Sequence, residues 1–240
     1  MYPTPRTSHR LAELVEDPAN RDSKTLIGAL QAGCWTTPRL IDLLRHGAPD
    51  VARAAATCLG AMGGMSAAPA LAEALRRPDA HLVRVAEHAL WSVGFRAGGV
   101  EAQAELFEIL CCGNDDGAEW FIERFSRLIR NYPVYGEAYH QRAMAHHARH
   151  DFLGALRDYR RAFHLNPYHF AARAGQGYCE WNLGRYRRAM WHFLAVRELH
   201  PRYEGVRQAI RQLRDLHHAA LSSYPGLDGA GDSADALALG

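Results

Sequence analysis

Lysine is almost missing from this chain: of its 28 basic residues only Lys24 is a lysine, and the rest are arginine. A lysine-rich stripe of the kind that tracks a phosphate backbone is thereby excluded. Cysteine is scarce and unpatterned, since Cys34, Cys58, Cys111, Cys112 and Cys179 are odd in number and never spaced as Cys-x-x-Cys. Neither a disulfide framework nor a zinc knuckle is written there, and most of these residues are expected to be small buried apolar groups. No apolar run reaches the roughly 18 residues that cross a bilayer, and Met1 to Ser8 lacks the pattern of a secretory signal. The expectation is a cytoplasmic protein with no membrane segment. Gly-rich phosphate loops, a Gly-x-Ser-x-Gly elbow and paired acidic motifs are also missing, so no catalytic residue, no cofactor and no metal are expected, and binding is favoured over catalysis.

What is present is a composition that can build a core. Hydrophobic residues make up 48% of the chain and charged residues 22%, which suits a soluble helical fold. The formal net charge is only +2, but it is unevenly spread: residues 117–218 hold 17 Arg against 9 Asp and Glu. Ten of the 14 histidines fall between His140 and His218.

Two internal periods organise the chain. In the second half Pro133, Pro167 and Pro201 stand 34 residues apart, and Phe152 matches Tyr186, Ala155 matches Ala189, and Tyr159 matches Phe193 at the same offset. Helices over about 136–149 and 152–165 form one antiparallel pair, and the next pair follows one period later. Ala143, Gly177, Ala155 and Ala189 mark close helix crossings, while the aromatics at 159 and 193 fill the space between pairs. Proline closes each second helix, because it lacks an amide hydrogen and biases the preceding residue away from helical angles.

This half resembles the tetratricopeptide repeat, most clearly over Tyr139–Pro167 and Arg173–Pro201, with a degenerate earlier unit whose turn is 113–117 and whose aromatic is Phe125. It departs from the family at Arg142, His146, Arg173, Gln176 and Glu180, where large apolar or aromatic residues are usual. Tyr203 to Ser222 reads as the solvating end helix of such an array.

The first half has a period of 31: Pro38 to Pro69, Arg53 to Arg84, Ala55 to Ala86, Leu59 to Leu90 and Gly63 to Gly94. Outer helices at 38–44 and 69–75 each lead through a Pro-Asp turn to an Ala-rich inner helix, and this pattern resembles the short bacterial type of HEAT repeat. The fold expected is an all-α solenoid, a right-handed superhelix of antiparallel helix pairs. Its segments are an extension at 1–8, HEAT-like repeats at 9–100, tetratricopeptide-like repeats with an end helix at 101–221, and a disordered tail at 222–240. With Glu101 to Cys112 serving both arrays, one continuous curved rod is expected.

The resemblance implies that the first helix of each pair lines a concave groove. The positions left free there are Glu137, His140, Met144 and His147, then Ala174, Tyr178, Trp181 and Asn182. Tyr and Trp offer large apolar area with a polar tip and anchor peptides well, though Tyr178 and Trp181 would equally suit packing against the next helix. The partner expected is another protein or peptide segment, held by an adaptor or scaffold with a second surface on the HEAT array. His140, Met144 and Gly175 stand where the chaperone-tail-binding subclass has Lys and Asn, which argues against that ligand.

Two other readings stand beside it. Arg157, Arg160 and Arg161, then Arg185, Arg187 and Arg188, recur at the starts of successive second helices and could form a basic face for nucleic acid. Glu87-His88 is a lone reversed pair for a HEAT-type enzyme, whether lyase or di-iron hydroxylase. A metal edge at His146, His150 and Asp151 is conceivable, but a structural ion wants about four ligands and a protected shell, so solvated histidines are expected.

Overall fold

The computed structural model describes residues 5–20, 22–112 and 117–222. Among these the secondary structure is helical throughout, in the order α1 (Pro5–Glu16), α2 (Ser23–Ala32), α3 (Thr37–His46), α4 (Pro49–Met62), α5 (Ala68–Ala74), α6 (Ala80–Arg96), α7 (Gly99–Cys112), α8 (Ala118–Asn131), α9 (Gly136–Ala148), α10 (Phe152–Leu165), α11 (Phe170–Asn182), α12 (Tyr186–Leu199) and α13 (Glu204–Ser222). Helix α1 therefore starts inside the stretch read as an extension. The turn expected at 113–117 lies outside the described residues except for Gly117, as does the tail after Ser222.

The helix ends follow local chemistry. Asp22 and Asp79 each accept two backbone N–H groups of the helix they precede, and Asp151 accepts Gly154 N. Asp79 also takes an ion pair from Arg53 at 2.8 Å, tying α6 to α4. Pro lies in the first turn of α3, α4 and α5, where its missing N–H costs nothing. The Ala-rich inner helices are thin for a reason: a Cβ on Gly60 would stand 3.1 Å from Ala89, so α4 and α6 cross with their backbones close. Cys58 and Cys179 are buried and burial pushes both thiols up to about 12, whereas Cys34, Cys111 and Cys112 are exposed, contrary to expectation.

In the second half the 34-residue register holds in detail. A Cβ on Gly175 would meet the Tyr159 ring at 2.5 Å, and one on Gly177 would meet Phe193 at 2.5 Å, so small residues on α11 make room for aromatics from α10 and α12. Ala143, Ala155 and Ala189 are fully buried. Tyr132, Asn166 and His200 cap α8, α10 and α12 alike, each donating its N–H to the carbonyl four residues back.

Three of the departures from apolar repeat positions find hydrogen-bond partners. Arg142 donates twice to Asp158, at 2.7 Å each, and once to Ser126 Oγ at 3.0 Å; Glu180, buried on α11, accepts from Arg160 and Arg185. Gln176 Nε2 donates to the Tyr159 carbonyl at 3.3 Å.

The two halves are not joined end to end through α7 alone, which corrects the expectation of a simple rod. Helix α6 packs back against the turns that precede α9, α11 and α13. Its residues Glu87, Trp91 and Phe95, one helical turn apart, meet residues at or near the start of successive helix pairs. The Tyr135 hydroxyl donates to the Phe95 carbonyl at 2.7 Å, the Trp91 ring lies 5.3 Å from His169 and 5.9 Å from Phe170, and His200 Nε2 is 3.3 Å from Glu87. Arg202 donates to the Pro78 carbonyl at 2.7 Å. One apolar core accordingly runs from Leu11 and Leu30 through α4 and α6 to Phe170, Phe193 and Ile210.

Candidate functional site

Helix α6 decides which groove positions face solvent. Glu137, His140 and Ala174, expected on an open wall, are buried. They lie in the first two turns of α9 and α11, the end nearest α6, with the Trp91 ring 5.6 Å from that of His140. Further along, Met144 is 49% exposed, His147, Tyr178 and Trp181 are half-buried, and Asn182 is exposed. Tyr178 and Trp181 rest on Phe193, at ring distances of 5.0 and 6.2 Å. Met144 and Tyr178 occupy one repeat position, and His147 and Trp181 another. The groove is therefore half closed by the chain's own helix and half open.

The closed half contains a knot of titratable groups. Glu137 Oε1 lies 3.3 Å from His140 Nδ1, its Oε2 lies 3.2 Å from His169 Nε2, and the His169 Nδ1 accepts the Ala172 N–H. That pattern places protons on His140 Nδ1 and His169 Nε2, so one carboxylate accepts from two imidazoles. Burial pushes the Glu137 carboxyl upward, but the bonds from His140 and His169 outweigh it and hold the group well below the usual carboxylate range. Burial, with repulsion from His169, lowers His140 against the pull of Glu137. The three offer ligand atoms within 4.8 Å of one another and so have the composition of a divalent-cation site. Their mutual hydrogen bonds already account for a buried charge, and what they do in this structure is lock α9 to the turn before α11. Glu137 and His140, three apart on one helix, were legible; their third member lies 29 residues beyond and only the fold brings it in.

Among the described residues the other histidine and acidic side chains form no second cluster of this kind. His146 Nδ1 is 2.9 Å from Asp151, which caps α10, while His150 is exposed and sits in the left-handed region at φ 62°. Glu87 faces His200 and its neighbour His88 is exposed, so the reversed pair does not converge on one site.

The six arginines singled out in sequence, Arg157, Arg160, Arg161, Arg185, Arg187 and Arg188, are all exposed. Arg160, Arg187 and Arg188 line a cavity of about 780 Å³ between α10, α11 and α12, together with Arg173, Gln176, Glu180, His192, Phe163 and Trp191. Arg157, Arg161 and Arg185 are not among its lining residues; Arg185 instead braces Glu180. The Arg173 guanidinium stacks 4.2 Å from the Trp191 ring and 4.9 Å from Phe163. Burial, then repulsion from Arg173 and Arg160, holds His192 down to about 3, so its imidazole is neutral.

Residues 7–91 match the family model for HEAT repeats, which covers most of α1, all of α2 to α5 and most of α6, about a third of the chain. The first half is thus similar in sequence to HEAT repeats, and among the described residues the fold is an all-α, HEAT-like solenoid of neighbouring helix pairs. HEAT repeats commonly mediate binding between proteins. No curated protein matches the chain. Among the described residues no helix is long and apolar enough to cross a membrane.

Proposed function

We propose that this chain is a non-enzymatic interaction scaffold, an adaptor whose 34-residue helix pairs are tetratricopeptide-like and hold a partner protein segment in the open half of their groove. The observation that carries the reading is the division made by α6. It lies nearest the first two turns of α9 and α11 and leaves Met144, His147, Tyr178, Trp181 and Asn182 beyond it, a row of apolar, aromatic and amide groups at equivalent repeat positions. Such groups supply contact area at low entropic cost and recur at the centres of interfaces. The HEAT match supports the same class of function from the other half.

Truncating Tyr178 or Trp181 would also remove packing on Phe193, so charge placed at the exposed positions is the cleaner probe. Met144→Glu with Asn182→Glu should leave helix content and melting temperature unchanged and remove the proteins that co-purify with the native chain from its own lysate. A loss of at least about tenfold in capture is expected for two interface positions. An identical captured set from native and variant chains would sink the groove reading.

A further inference from the structure

We infer that the cavity between α10, α11 and α12 binds a nucleotide, its phosphate held by Arg160, Arg173, Arg187 and Arg188 and its base laid against Trp191. The preceding repeat supplies an internal reference. There Ser126, Arg142 and Asp158 close on one another in a hydrogen-bonded pair that fills the space between helices. One period on, the same three positions are Arg160, Gln176 and His192. The carboxylate is gone, the arginine has moved from the middle of the set to its edge, and a cavity of about 780 Å³ stands where the closed pair was, a size within the range of small-ligand sites.

Its polar groups point to an anion. His192 is 5% exposed and its Nδ1 has no hydrogen-bond partner among the described residues; Arg173 Nε likewise has none. A buried polar atom left without a partner costs free energy that a ligand can recover. Of the arginines that line the cavity, Arg160 pairs at 3.2 Å with its one carboxylate, Glu180, which Arg185 also engages at 3.3 Å, and Arg173 and Arg188 add positive charge beyond that pair. Arginine presents its donors as a planar fork that matches phosphate oxygens. Arg173 is held in position between the Phe163 and Trp191 rings, so its donors lose little freedom on binding.

Arg173 stacks over one face of Trp191, and a bare anion would leave the other face unused. Trp191 is 60% exposed at the cavity, a large apolar surface in water, and an indole face is a platform for a planar base. Phosphate and base together describe a nucleotide, whether free or as one residue of an RNA strand.

The test uses the purified full chain, with calorimetry and tryptophan fluorescence, against AMP, inorganic phosphate and a single-stranded RNA hexamer. AMP should bind with an affinity that falls as salt rises, and inorganic phosphate at least about tenfold more weakly. Gln176→Arg with His192→Asp, which installs the closed pair of the preceding repeat, should fold normally and weaken AMP at least about tenfold. Trp191→Leu, at an exposed position, removes the base platform as well as one of the two rings that position Arg173, so it should weaken AMP by a larger factor than it weakens phosphate. A hexamer that binds more tightly than AMP assigns the site to a strand, and equal affinities assign it to free nucleotide; both uphold the inference. No binding of AMP or hexamer at about 1 mM, phosphate as tight as AMP, or affinities undisturbed by both variants would overturn it.

Discussion

The pair α9–α10 and the pair α11–α12 share a period, a backbone and a set of small and aromatic packing positions, yet they treat their buried polar positions in opposite ways. In the first, Arg142 and Asp158 form a bidentate ion pair with Ser126 as third partner. In the second, Gln176 turns to a backbone carbonyl, His192 is left with an unpartnered Nδ1, and arginines gather around a cavity. The repeat scaffold thus tolerates either a closed or an open interior at the same place. The small-for-aromatic exchange at Gly175–Tyr159 and Gly177–Phe193 sets the helix crossings, and the polar positions are free to carry something else.

The comparison breaks most visibly if the closed pair is opened. Asp158→Ala leaves Arg142, only partly exposed, without its carboxylate, and breaking a pair of this kind typically costs about 3 kcal/mol. His192→Gln at the equivalent position breaks no ion pair and keeps much of the buried volume, so its cost should stay at about 1.5 kcal/mol or less. Chemical denaturation of the two variants measures the contrast; equal losses would show that the two positions are not physically different.

A second effect, smaller, separates the units by pH. His192 is held down to about 3, against roughly 6.5 for a free imidazole, so the folded state binds fewer protons than the unfolded chain between those values. Its contribution is intact above about pH 6.5 and is lost as pH falls toward 3. His140, lowered by burial, and Glu137, whose carboxyl is held down by His140 and His169 against the upward push of burial, act in the same direction at the contact with α6. The melting temperature should therefore fall on acidification from pH 7 to 5, and fall less steeply for His192→Gln. Superimposable pH profiles of native chain and variant would refute the assignment to His192.

Much of this architecture was written in local pattern. The 31- and 34-residue periods gave the helix pairs, and the glycine and alanine positions that face Tyr159 and Phe193 were readable because a close crossing admits only small residues. The exposed arginines were readable too. The docking of α6 was not, although both halves of it are periodic: Glu87, Trp91 and Phe95 recur every four residues, and Tyr135, His169 and Tyr203 every 34. No local preference says that these two rows meet. Glu137 and His140 were therefore placed on an open wall, since the helix that buries them is more than 40 residues away in sequence. The cavity was hidden for a related reason: an arginine at a repeat position looks the same in sequence whether a carboxylate faces it, as at Arg142, or two aromatic rings do, as at Arg173.

The smallest effect tests the backbone of the same repeat. Helices α9 and α11 are followed by residues in the left-handed region, His150 at φ 62° and Gly184 at φ 73°, one period apart. An L-residue with a Cβ is strained there, by roughly 1 kcal/mol, and glycine is not. The first unit accepts the strain; the second avoids it. His150→Gly should then stabilise the chain by about 0.5 kcal/mol, the relief of strain being partly offset by the greater freedom of glycine in the unfolded state. Gly184→Ala should destabilise it by about 1 kcal/mol, although a Cβ there would meet nothing within 4 Å. Because space is open at Gly184, any loss must come from the backbone angle and not from a clash. If denaturation midpoints move the same way for both variants, the two turns do not share the geometry that their spacing implies, and the equivalence of the two repeats fails at their ends even where it holds in their cores.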